Sequence, residues 1–403
     1  MRETPDAPTQ KMRDVTRFRL VPMRARDPHE SDRTASTLEL FFDLVFVIAV
    51  SVAALELHHQ FSEGHIVNGL LSYGIVFFGI WWAWMNFTWF ATSFDTDDWL
   101  YRILTIVQMS GVLVLAAGIP LAFQKQNFTV LILAYVVMRL ALVAQWIRAA
   151  HAVGKENRAP GIYACGVAGV QILWLAALAL PPAMFQITIP VLIIAEIAVP
   201  LIAETAGRTS WHPEHITERY GLFTLILLGE SLLAAANAII AALRTGGIIG
   251  ELIEVAALSL LVTAALWWIY FWPPHQTVIG GLPSSLAYGY GHYFIFAAAG
   301  AFSAGIGVQI DLLTGHSALQ DPWASFTYTV PIAVFVIGVW LMAIRPNADR
   351  IVNCVVPLGA LVVVADPLFP GPIIVTAVIL AAIVTVLVWR QPLPQATKQK
   401  LIT

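Results

Sequence analysis

Two carboxylates, Glu39 and Asp43, stand at the front of an otherwise apolar run, Thr37–Leu57 (TLELFFDLVFVIAVSVAALEL). Four residues apart on a helix, they share one face and lie roughly 6 Å apart along the axis. An acidic group within a bilayer is expensive and turns toward a bundle interior or a wet cavity, where it takes part in function. For Asp43 the reading is function or an essential buried pair. It needs a donor such as Arg139 or a hydroxyl, or a cation, or else it is protonated. Glu39 carries a structural reading as well, because Ser36-x-x-Glu39 spells a capping box in which the carboxylate satisfies the Ser36 N–H.

A second acid, Glu230, sits in LLGESLL between Gly229, which permits close backbone approach, and Ser231. Arg219 precedes it by eleven residues, which returns it to within about 20° of the same helical face and places it about 16 Å away. The two make a polar stripe suited to a wet cavity or to a buried ion-pair network. Glu196 is a third mid-span acid and fits Arg139 as a partner. Asp95, Asp97 and Asp98 read as a loop whose aspartates cap a helix and pair with Arg102, or as a cation-attracting vestibule. His212, His215 and Glu218 in HPEHITE fall on one helical side, but the spacing is not that of a zinc-binding HExxH helix. No metal site and no cofactor is expected, and no catalytic set stands out. Trp81, Trp82, Trp84, Trp267 and Trp268 lie deeper in their runs than an interfacial belt requires, which suggests packing or a constriction.

The elements that position these groups are membrane spans. The chain has 403 residues, 58% of them hydrophobic and 12% charged, where soluble domains carry about a quarter charged residues. Apolar runs of helical length occur at 37–57, 66–91, 99–121, 127–149, 161–181, 185–205, 216–243, 252–272, 287–312, 323–344, 349–366 and 370–390, each about the length that crosses a bilayer. The fold class is therefore an all-α integral membrane protein of about twelve transmembrane helices. Pro357, Pro367 and Pro370 mark the last two spans as candidates for broken or re-entrant segments. With an even count both ends share one side, and that side collects nineteen of the 22 Lys/Arg, including eight in residues 1–36. The excess predicts cytoplasmic termini.

The division expected is a polar cytoplasmic tail (1–36), two six-helix halves (37–207 and 208–390) and a cytoplasmic tail (391–403). The halves resemble each other: Asp43 precedes Trp81-Trp82 by 38 residues, and Glu230 precedes Trp267-Trp268 by 37. Such repeats are common in transporters, with the site at their interface. Gly300, Ala304 and Gly307 form a small-residue seam for close helix contact. The partners expected are the lipid bilayer and a small ion or solute, with a homodimer compatible; a net charge of −3 offers nothing to nucleic acid.

Three separated stretches, TLELFFDLVFVIAV, WWAWMNFTWFATSFDTDDWLYRI and ERYGLFTLILLGES at 218–231, resemble the low temperature requirement protein A (LtrA) family of bacterial multi-span membrane proteins. The resemblance runs through Phe42, Asp43, Phe46, Trp81, Trp82, Asp98, Arg102, Gly229, Glu230 and Ser231. It implies a class of protein and no reaction. FFDLVFVIAV is also similar to the FSD motif of potassium channels built from six-span repeats, with Phe42 in place of the serine. The mid-span acids predict transport of a small solute or cation along a polar path involving Asp43 and Glu230. The alternatives are a cation channel of the FSD type and a membrane-embedded enzyme or scaffold.

Overall fold

In the computed structural model, residues 20–27, 34–154, 157–245, 249–369 and 372–393 are described. Most of both polar tails, with Lys155, Lys398 and Lys400, lies outside the described residues. Among the described residues twelve α-helices follow one another. α1 (Thr37–Ser62) opens on the expected capping box: the Ser36 N–H donates to Glu39 at 2.7 Å and the Glu39 N–H to Ser36 Oγ at 3.3 Å. α2 is Ile66–Ser93, and α3 (Trp99–Lys125) is capped by Asp98, which accepts the Tyr101 N–H at 2.8 Å. α3 stops at Gln126, a left-handed residue with φ 50°. α4 (Thr129–Val153), α5 (Ala159–Ala177) and α6 (Pro182–Ala206) complete the first half.

In the second half, α7 (Pro213–Thr245) and α8 (Ile249–Phe271) are followed by α9 (Leu282–Leu313). α10 (Trp323–Val339) runs on into a π turn, Trp340–Ile344, and a 3-10 turn, Arg345–Asn347. α11 (Arg350–Ala365) passes through Pro357 without a break, and α12 (Pro372–Trp389) closes the bundle. Among the described residues eleven helices are long and apolar enough to cross a membrane, and Ile373–Trp389 is a shorter apolar helix. A two-stranded antiparallel pair, β1 (Arg24–Ala25) with β2 (Phe94–Asp95), ties the tail to the end of α2.

The centre of the bundle is built from α1, α2, α7 and α9. α1 packs on α2, α3, α7 and α9, while α2 also meets α4, α7 and α9. α3 to α6 lie to one side, and α8 with α10, α11 and α12 to the other. The small-residue seam sets the spacing of α9. A Cβ on Gly300 would meet the Tyr73 hydroxyl on α2, and one on Gly305 would come within 2.6 Å of the Thr327 carbonyl on α10.

Two sequence readings change here. Trp81, Trp82 and Trp84 are buried, but Trp267 and Trp268 are each 42% exposed on the outside of α8. α8 packs against α7 and α12 at the flank of the bundle and leaves their indoles to the apolar surroundings, so they line no constriction. The two tryptophan pairs therefore hold unlike places: α2 is central and α8 peripheral.

Candidate functional site

α1 and α7 touch where both enter the bundle, and each presents an i, i+4 pair of ionisable residues: Glu39 with Asp43, and His215 with Arg219. The two pairs meet. Arg219 Nε donates to Asp43 Oδ2 at 3.0 Å and Nη2 to Oδ1 at 2.5 Å. Its Nη1 lies 3.2 Å from Glu39 Oε1, and His215 Nε2 lies 3.4 Å from the same oxygen. From α2, Trp84 Nε1 donates to Asp43 Oδ1 at 2.7 Å. Its indole is clamped by Phe223, stacked at 4.3 Å, and by Tyr220 edge-on at 5.0 Å. Asp43 is 1% exposed and Arg219 fully buried. Two carboxylates face one guanidinium, with the His215 imidazole beside them.

One member of the cluster, Glu39, also lines a cavity. A polar cavity of about 520 Å³ opens at the tail end of the bundle, with Glu39 in its wall together with Arg26, Tyr101, Asp97 and Arg102. Glu39 thus bridges vestibule and core, and Asp43 lies one turn deeper. Asp97 and Arg102 form an exposed bidentate pair, both contacts 2.7 Å, at the rim. Asp98 joins the tail to the bundle: Arg148 Nη2 donates to it at 2.6 Å and the Val21 N–H at 3.1 Å. Burial alone would raise the Asp98 carboxyl, but the hydrogen bonds from Arg148, Tyr101 and Val21 outweigh it and hold it below the usual aspartate range.

A second buried cluster lies across α2. Arg139 on α4 donates through Nη2 to Glu196 on α6 at 3.0 Å. Glu196 also accepts Trp82 Nε1 at 3.0 Å and Gln171 Nε2 at 2.8 Å. Trp82 and Trp84, two residues apart, project to opposite sides of α2, and each indole donates to a buried acid. Asp43 finds its donor in Arg219; Arg139 is engaged by Glu196.

The model of the family described as bacterial low temperature requirement A protein (LtrA) matches residues 34–389. The chain belongs to the LtrA family. It is also 29% identical over 254 residues to an uncharacterized protein, RA0937, of Rhizobium meliloti (strain 1021); the match covers 60% of this chain and 59% of that one.

The stretches that carry the LtrA likeness now have places. TLELFFDLVFVIAV supplies Glu39 and Asp43, with Phe42 stacked on Phe87 at 4.0 Å and tilted against Phe46 at 4.8 Å. WWAWMNFTWF supplies the two indole donors. ERYGLFTLILLGES begins with Glu218, which accepts the Ala35 N–H at 3.1 Å, and Arg219. Arg219 and Glu230 both lie on the side of α7 that meets α1. Arg219 turns to α1, while Glu230 lies buried beside Ser51, also of α1. Ser231 hydrogen bonds to Thr263 on α8 at 2.7 Å, and nothing lies within 4 Å of where a Gly229 Cβ would be.

One buried network in this LtrA-family chain escaped sequence reading. His275, in the turn after α8, donates from Nε2 to the Tyr270 carbonyl at 2.7 Å and accepts Tyr288 Oη at Nδ1, 3.1 Å away. His292 on α9 lies 2.7 Å from the Tyr288 carbonyl and 3.0 Å from Tyr270 Oη. Burial drives the His275 imidazole down to about 4. The signal available was a Tyr-x3-His pair, Tyr288 and His292, on one helical face, with Tyr270 and His275 upstream across the Pro273-Pro274 turn.

Proposed function

We propose that this LtrA-family protein moves a small cation, or a small solute coupled to protons, across the bacterial inner membrane, with both termini in the cytoplasm. The observation that carries this reading is the position of Glu39, shared between a polar vestibule and a buried cluster with one more carboxylate than guanidinium. Such a site draws in a positive charge. A cation or proton arriving from the vestibule meets Glu39 first and competes with Arg219 for the carboxylates. Releasing Arg219 frees Asp43 and loosens α1 from α7, so binding is linked to a rearrangement of the central helices. Glu230, about 16 Å further along α7, is the next acid on that route. The two six-helix halves would supply the moving bodies, and a homodimer remains compatible.

The same geometry favours a carrier over a channel of the FSD type. Phe42, at the motif's serine position, is buried against Phe87 and Phe46, where a channel of that type needs the first helix to face a pore. An enzymatic or scaffolding role has no comparable set of residues in its favour. Reconstitution into liposomes separates the readings. Saturable uptake that depends on a pH gradient and vanishes in Glu39→Gln supports the carrier. Cation current that never saturates supports the channel. Neither signal, with the protein folded and oriented, overturns permeation and returns Asp43 to a purely structural pairing.

A further inference from the structure

A groove between α9, α10 and α11 has a cavity of about 950 Å³, the size of a site for a drug-sized or lipid-like ligand. Its composition is graded. At the tail end it is lined by Ser284, Tyr288 and Arg345; deeper, by Phe294, Val334 and Val364. From Arg345 to the deepest lining residue of α10, Val330, is fifteen residues, or about 22 Å of helix. That is half a hydrocarbon core of about 30 Å plus its headgroup layer. The groove is therefore one leaflet deep, with its polar mouth at the membrane boundary. Its walls face outward, since Phe294, Leu341 and Leu361 are all exposed.

The mouth carries a positive charge. Arg345 makes no ion pair among the described residues, and its guanidinium rests over the Trp340 ring at 5.9 Å. The nearby carboxylate Asp349 faces Arg390 at 3.5 Å. Backbone geometry produces this placement. The π turn Trp340–Ile344 widens the end of α10, and Leu341, Met342 and Arg345 all line the groove. Such turns recur at functional sites. A glycine serves the opposite wall, because a Cβ on Gly291 would run into Met342 Cε.

We propose that this groove binds one acyl chain of an anionic phospholipid from the adjoining leaflet, with its phosphate on Arg345. Charge complementarity at the mouth, an apolar body and one-leaflet depth describe a two-part amphiphile with an anionic head. A second copy of the chain would have to bring its own anion to the same level.

Native mass spectrometry of the full chain in detergent tests this, with phosphatidylglycerol and phosphatidylcholine of matched chains. Wild type should retain one phosphatidylglycerol with about five-fold preference, the factor expected of one basic residue near an anionic headgroup. Arg345→Gln should erase the preference and Arg345→Lys restore much of it. Ala287→Trp, which fills the exposed groove wall, should reduce retention of both lipids. Equal retention of the two lipids by wild type overturns the proposal, as does an unchanged preference in Arg345→Gln. Displacement of the lipid by glycerol phosphate alone would mean that the chain contributes nothing, and Ala287→Trp changing only the oligomeric state would make the groove a contact between copies. Either result also overturns it.

Discussion

Arg219 holds Asp43 by two parallel hydrogen bonds, Nε to Oδ2 at 3.0 Å and Nη2 to Oδ1 at 2.5 Å, and so joins α7 to α1 across 176 residues of sequence. Both side chains are buried, and Trp84 completes the coordination of the carboxylate. Asparagine at 43 removes the charge from this bidentate pair, while Glu39 still faces the guanidinium. Asp43→Asn should therefore destabilise the protein by about 1.5–3 kcal/mol, seen as a lower unfolding temperature in detergent. Asp43→Asn combined with Arg219→Met should cost less than the sum of the two single losses, because both remove the same contact. Additive losses in the double mutant would refute the coupling.

Glu39 should behave differently from Asp43, although the two are one turn apart. Glutamine at 39 keeps an oxygen for the Ser36 N–H, so the capping box persists and stability falls by only about 1–2 kcal/mol. The substitution removes one carboxylate charge from the cluster. Glu39→Gln should thus fold, retain the α1–α7 contact and lose the pH dependence of uptake in liposomes across a pH series. Wild-type pH dependence in that variant would detach Glu39 from coupling.

The spans were legible because bilayer crossing imposes length and apolarity on every helix, and all twelve runs became helices. Glu39 and Asp43 were legible because a carboxylate in an apolar run is costly, and Ser36-x-x-Glu39 because capping is local. Pairings across the bundle were not. Periodicity put Arg219 on the face of Glu230, but which helix that face meets, α1, is a tertiary fact. The matched i, i+4 spacing of Glu39 and Asp43 against His215 and Arg219 was the available clue. Trp267 and Trp268 misled for a related reason: an indole in an apolar helix reads alike whether it faces a core or lipid.

His275 makes stability depend on pH in a defined window. Its folded value, about 4, lies below the ordinary histidine value of 6.5, so the unfolded chain binds the proton first. Stability from this residue is fully present above about 6.5, falls as pH drops, and levels off below about 4. The span corresponds to roughly 3 kcal/mol. Unfolding temperatures of wild type and His275→Gln should differ most near neutrality and converge as the medium is acidified. Parallel curves would show that His275 is not the group responsible.

The contact of α9 with α10 should tolerate no side chain at residue 305. A Cβ there would sit 2.6 Å from the Thr327 carbonyl oxygen and 2.7 Å from its carbon, and backbone atoms of a packed helix cannot swing aside as a side-chain tip does. Gly305→Ala should cost about 1–3 kcal/mol through overpacking. Gly169, in the middle of α5, is the control: nothing lies within 4 Å of where its Cβ would be. There alanine removes only the conformational freedom of a helical glycine and should stabilise by about 0.5–1 kcal/mol. Opposite shifts in unfolding temperature for the two substitutions are expected. Equal shifts would mean that glycine at 305 serves helix flexibility and not the close approach of α9 to α10.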